Sequence, residues 1–156
     1  MIDAIRVAAL IAVLGTGVVY GTDVFCALVQ RPALTRVDDR ALTTVMGNVH
    51  RYGDRRMPIP GALGIIAAAT CATVAGIAGH WAEAIPAAAA VGLLLAWLAL
   101  YLRVSAPINR QLTVAAEAGD VPANVRVLQR NWDRIITTRA VLQGLAVAAL
   151  CVTLVI

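Results

Sequence analysis

Long apolar runs alternate with polar connections along this chain. Four runs, over residues 7–30, 59–79, 84–102 and 135–156, each approach the about 20 predominantly apolar residues that a helix needs to cross a bilayer. The pattern therefore predicts four membrane-spanning helices. The first run is too long for a signal peptide, and no small-residue cleavage pattern leads into a soluble domain, so it reads as a retained helix.

The connections carry a pattern of their own. Between the first two spans, Leu34, Val37, Leu42, Val45, Met46 and Val49 recur at near-helical spacing, which predicts an amphipathic helix over 35–52 at the membrane interface. Gly53, Pro58 and Pro60 end it and start the second span, where the first-turn N–H groups have no intrahelical acceptor and Pro is tolerated. The third span is expected to run past Arg103 to about Glu117, bending at Pro107, where one backbone bond is lost. Gly119, Asp120 and Pro122 form the next turn, and the fourth helix starts near Pro122 or Ala123. The expected fold class is all-α, an integral membrane four-helix bundle with an additional amphipathic interfacial helix, residues 1–156 forming a single membrane domain.

Composition agrees with that class. The hydrophobic fraction is 60% and the charged fraction 14%, against about 45–50% and about 25% in soluble domains. Charge placement then sets orientation. Arg31, Arg36, Arg40, Arg51, Arg55 and Arg56 fill one long connection and Arg103, Arg110, Arg126, Arg130 and Arg134 the other, while the short one holds only His80, Trp81 and Glu83. By the positive-inside rule both long connections are cytoplasmic and both termini face outward, as expected for a multi-pass protein of the cell membrane. The net charge of +4 is thus mostly topology, and nucleic acid is not an expected partner. Arg126, Arg130 and Arg134, four residues apart, form a stripe suited to anionic lipid headgroups.

Three features carry no chemistry by themselves. Cys26, Cys71 and Cys151 sit singly in separate runs, as small hydrophobes do. Gly15, Gly17, Gly21, Gly61, Gly64, Gly76 and the alanines at 87–90 allow close helix packing. His50 and Asp54 stand at i, i+4, but no second histidine is near on the same side, so no metal is expected there.

Asp23 and Arg139 are different. Each is an ionisable group inside an apolar run, at comparable depth near the same face of the membrane. A charge at a helix centre costs roughly 2.5–3.5 kcal/mol on insertion, so such groups face protein or water and have partners. Together they predict a polar pocket or an ion pair between the first and fourth spans.

A resemblance rests on particular residues. The Gly-rich first span closes in Gly21 and leads to Arg31, Pro32, Ala33 and Leu34; the second span opens at Pro58; Pro107, Ile108 and Asn109 follow the third; and Trp132 stands seven residues before Arg139. Over nearly its whole length the chain resembles the DUF1772, or anthrone-oxygenase-like, family of small four-helix integral membrane proteins. It departs from that pattern at Ile136, where many relatives have a histidine. The resemblance implies oxidation of a tricyclic anthrone to an anthraquinone by dioxygen with no evident cofactor.

Such chemistry needs a base, positive charge near the developing oxyanion, and an apolar pocket. Asp23 or His50 could take the proton, Asn109 and Arg139 could hold the oxyanion, and Tyr20 and Trp132 could stack on a planar ring. The competing roles are a structural Asp23–Arg139 pair, an interfacial anchor for Trp132 and simple packing for Tyr20. The functional expectation is a membrane-embedded oxygenase-like protein acting on an apolar aromatic, anthrone- or quinol-like compound. Alternatives are a non-catalytic subunit binding lipid or quinone within a larger membrane complex, and a small exporter working as a homodimer. An enzyme should have a cavity lined by Asp23, Asn109 and Arg139, an exporter one open to both sides, and a subunit that space filled by its own side chains.

Overall fold

A computed structural model describes residues 2–156, and every regular element in them is helical. The helices are α1 (Ile2–Phe25), α2 (Arg31–Leu34), α3 (Asp39–Arg56), α4 (Pro58–Ile77), α5 (Trp81–Leu100), α6 (Ala106–Ala118) and α7 (Val125–Val155). Five-residue π-helical turns, Cys26–Gln30 and Tyr101–Ser105, join α1 to α2 and α5 to α6. The result is four rods long and apolar enough to cross a membrane: Ile2–Leu34, Pro58–Ile77, Trp81–Ala118 and Val125–Val155. These mark a multi-pass membrane protein.

Both π turns close one residue before an X–Pro step. Arg31 N–H bonds back to Cys26 O and Ala106 N–H to Tyr101 O, and the next residues are Pro32 and Pro107. A proline has no N–H to give and its ring crowds the carbonyl four residues back. A widened turn just upstream relieves that crowding while keeping the helix continuous. The disturbance expected at Pro107 therefore falls on Tyr101–Ser105.

Helix α1 packs along α4 and α7, and α5 packs along the same two, while α3 lies on α6 at the Leu34/Pro58 end. Small residues permit the closest of these approaches. A Cβ on Gly15 would stand 2.8 Å from Gly64 N, and one on Gly64 would stand 2.6 Å from Thr16 Oγ1, so α1 and α4 touch backbone to backbone. Gly47 does the same for α3, where a Cβ would meet Ala116 and the Leu112 carbonyl of α6.

Ends are set by local chemistry. Asp38 caps α3 by accepting from Ala41 N at 2.7 Å, which starts the helix at Asp39, later than the 35–52 expected from periodicity. Gly53 does not stop it, and the helix continues to Arg56. Gly79 (φ 75°) and Gly119 (φ 71°) adopt the left-handed conformation that closes α4 and α6, with His80 N–H on Ala75 O and Asp120 N–H on Ala115 O. Arg126 turns inward from its stripe. It bonds the Leu34 and Val37 carbonyls and the Asp39 carboxylate, fastening the turn before α3 to α7.

The core is built of three apolar clusters, and a polar layer separates the one packed on α3 and α6 from the other two. Ala12, Ala68, Ala90, Leu94, Ala146 and Leu150 belong to one cluster, and Cys26, Leu42, Met46, Leu112, Trp132 and Ile136 to another. On three of the four rods the buried polar residues Asp23, Ser105 and Arg139 fall at or near the junction of the two.

Candidate functional site

Asp23 is the centre of the polar layer. It is 3% exposed, and three donors from two other rods converge on its carboxylate. Arg139 Nη2 donates to Oδ1 at 2.8 Å, while Trp97 Nε1 and Gln143 Nε2 donate to Oδ2 at 3.1 and 2.6 Å. A carboxylate this deep requires such partners, because an unpaired buried charge is far costlier than a paired one.

Arg139 is partnered through both Nη atoms, its Nε having no partner among the described residues. Its Nη1 donates to Ser105 Oγ at 2.7 Å, and its guanidinium carbon lies 5.7 Å from the Trp97 ring, 5.6 Å from Tyr101 and 5.9 Å from Trp132. Three aromatic faces thus surround one cation, an arrangement favoured by the ring quadrupoles in a desolvated setting. Trp97 and Tyr101 are themselves stacked, 6.1 Å apart and 16° from parallel.

A second chain of hydrogen bonds starts from Asp54. Tyr101 OH and Asn109 Nδ2 both donate to its Oδ1, at 2.9 and 2.8 Å, and Trp132 Nε1 donates to Asn109 Oδ1 at 3.0 Å. These bonds tie α3, the π turn, α6 and α7 into one frame. His50 lies one turn before Asp54 on α3, 5.6 Å from the Trp132 ring. It is 4% exposed, and its Nε2 has no hydrogen-bond partner among the described residues. Burial, with the Arg139 charge second, lowers the His50 pKa from 6.5 to about 4, so the imidazole is neutral at physiological pH.

These groups line a cavity of about 280 Å³. Val19, Gly61, Ala62, Ile65 and Leu98 form much of its apolar wall, and Asp23, Arg139, Asp54, Tyr101 and Asn109 bring polar groups to it. Of the residues singled out in the sequence, Asp23, His50, Asn109, Trp132 and Arg139 come together here. Tyr20 does not line the cavity; its ring packs over Gly144, where a Cβ would stand 3.1 Å away. Ile136 is wholly buried in the apolar cluster that includes Trp132. No group of three His, Cys, Asp or Glu side chains suited to a metal occurs among the described residues.

Trp97, Tyr101, Ser105 and Gln143 escaped the sequence reading. A signal was present: Trp97, Tyr101, Ser105 and Asn109 recur every four residues. In a regular α-helix each such step overshoots the full turn by about 40°, which spreads the set around the rod. The π turn at Tyr101–Ser105 slows that drift and helps keep them on the cavity side.

Compared with known proteins, the chain matches no family model, no curated protein and no solved structure.

Proposed function

We propose that the chain is an integral membrane four-helix bundle of the DUF1772, anthrone-oxygenase-like kind, with both termini on the outer face and α3 as an amphipathic helix in the inner interface. In this proposal it binds an apolar aromatic, anthrone- or quinol-like compound in the cavity and oxidises it with dioxygen. The observation that carries the proposal is a mainly apolar cavity with an uncommitted neutral imidazole, His50, beside the Asp54 carboxylate.

Removal of a proton from the anthrone gives an electron-rich anion, dioxygen adds at the ring methylene carbon, and loss of water leaves a carbonyl. The sum is CH2 + O2 → C=O + H2O, which needs no further reductant. His50 and Asp54 are the acceptors available for the proton. Trp97, Tyr101 and Trp132 offer aromatic walls, and the apolar lining keeps water from the anion. Arg139 supplies positive potential at short range, while its own hydrogen bonds go to Asp23 and Ser105. Ile136 withholds the family histidine, and His50, against the same Trp132, is the imidazole that remains.

The test is oxygen uptake and anthraquinone formation by the purified protein supplied with a hydroxyanthrone. Catalysis above spontaneous autoxidation is expected, reduced at least about tenfold in His50→Ala and unchanged in Tyr20→Phe. Uptake equal to buffer would refute the oxygenase. The engagement of Asp23 and of both Arg139 Nη atoms with each other and with Trp97, Gln143 and Ser105 favours a second reading, a non-catalytic subunit holding quinone or lipid in a larger membrane complex. That reading predicts binding without turnover. An exporter is less favoured, because buried alanines and the Gly15–Gly64 contact fill the rods beyond the cavity.

A further inference from the structure

The hydrogen-bond inventory of the cavity is lopsided. Six donors of the two hydrogen-bond chains already have acceptors, while Arg139 Nε has none among the described residues. Trp97 Nε1 and Arg139 Nη2 serve Asp23, Arg139 Nη1 serves Ser105, Tyr101 OH and Asn109 Nδ2 serve Asp54, and Trp132 Nε1 serves Asn109. What remains open is mostly acceptor capacity. Both bonds to Asp54 land on Oδ1, leaving Oδ2 without a donor among the described residues. His50, neutral and 4% exposed, has its Nε2 unpartnered.

From this we infer that the cavity is selective for the reduced, hydroxyl-bearing form of its aromatic ligand over the oxidised, carbonyl-bearing form, with Asp54 and His50 as the determinants. The inference rests on the cavity being a ligand site, as proposed above, and adds the redox state that it takes.

A phenolic hydroxyl is both donor and acceptor. It satisfies Asp54 Oδ2 or a bare imidazole nitrogen with its proton, and its oxygen can receive the imidazole N–H. A quinone oxygen is acceptor only. On the α3 side of the cavity it could be met by the imidazole N–H alone, and it would stand beside carboxylate lone pairs that repel it and that it leaves unpaired. Sites built to receive a hydroxyl reject analogues that lack it more strongly than apolar pockets reject a change of size, because a buried polar group is left orphaned. The i, i+4 placement of His50 and Asp54 on α3 sets their Cβ atoms about 5–6 Å apart, close enough for one hydroxyl to meet both. For an oxidase or oxygenase the consequence is product release, since conversion of hydroxyl to carbonyl removes the recognised group.

The experiment is anaerobic calorimetric titration of the detergent-purified protein with naphthohydroquinone, its dimethyl ether and naphthoquinone, ligands of one ring system that differ at the oxygens. The hydroquinone is expected to bind at least about tenfold more tightly than either of the others. In Asp54→Asn, whose amide can donate to a carbonyl, the hydroquinone-to-quinone ratio is expected to collapse to within about threefold. The comparison on the native chain stands even if that variant fails to fold. Equal affinities, or preference for the quinone, would overturn the selectivity while leaving the cavity a ligand site. Absence of binding by all three would overturn both the selectivity and the ligand site.

Discussion

Asp23 and Arg139, 116 residues apart in sequence, meet across α1 and α7 at 2.8 Å with both side chains almost wholly buried. The pair joins the first and last rods and orients the aromatic rings around the cavity. Trp97, Gln143 and Ser105 take up further valences of the two charges, and only Arg139 Nε is left without a partner among the described residues.

Removing one partner should therefore be expensive. Arg139→Ala is expected to destabilise by about 3–5 kcal/mol, the usual result of stranding a buried charge. Replacing both, as Asp23→Leu with Arg139→Met, should recover part of that loss. Recovery stays partial because Trp97 and Gln143 lose their acceptor. Thermal unfolding in one detergent measures both, and an Arg139→Ala midpoint equal to that of the native chain would contradict a structural pair.

The α1–α4 contact makes a separate prediction. Gly64→Ala sets a methyl 2.6 Å from Thr16 Oγ1 and 2.9 Å from Thr16 N, and is expected to cost about 1–3 kcal/mol by forcing the rods apart. Gly17→Ala, with open space at its Cβ, should be neutral or slightly stabilising. Equal unfolding midpoints for the two variants would show that the rods are not in backbone contact.

His50 makes stability depend on pH. Its pKa is about 4 when folded against 6.5 as the ordinary value, so the unfolded chain binds the proton more readily. The stabilisation is complete above about pH 6.5 and is lost as pH falls toward 4, amounting to about 3 kcal/mol by linkage. His50→Gln should flatten this part of the native profile. Parallel profiles for the two proteins between those pH values would mean that the imidazole is not buried as a neutral group.

The spans were legible because hydropathy responds to lipid contact, yet it marked 84–102 where the rod is Trp81–Ala118 and 135–156 where it is Val125–Val155. Helices continue beyond the lipid-matched stretch when their polar ends pack on protein, as α6 does on α3. The extension toward Glu117 was readable from the absence of a breaker between Pro107 and Gly119, and Pro107 did not end the rod because the π turn accommodates it.

Charged members of the site stood out, since Asp23 and Arg139 contrast with apolar neighbours. Trp97 and Tyr101 did not, because an aromatic residue in an apolar run resembles packing until its N–H or O–H has a named partner. Tyr20 had the same sequence character and a different fate, packing on Gly144. What separates these cases is which elements meet, since Trp97 reaches Asp23 of α1 and Tyr101 reaches Asp54 of α3 while Tyr20 meets α7, and spacing along a single helix does not contain that.

Ligand binding in the cavity is tested most directly by tryptophan fluorescence. Trp97 and Trp132 line the cavity, whereas Trp81 is exposed at the opposite end of the rods, so Trp81→Phe leaves only the two reporters. Titration of that variant with a hydroxyanthrone is expected to give saturable quenching. Adding Gly61→Phe, which directs a ring into the cavity from a position where a Cβ would stand 3.7 Å from the Trp97 ring, should abolish it while the protein stays folded. Quenching that is linear in ligand, or identical with Gly61→Phe present, would contradict a ligand site between these helices.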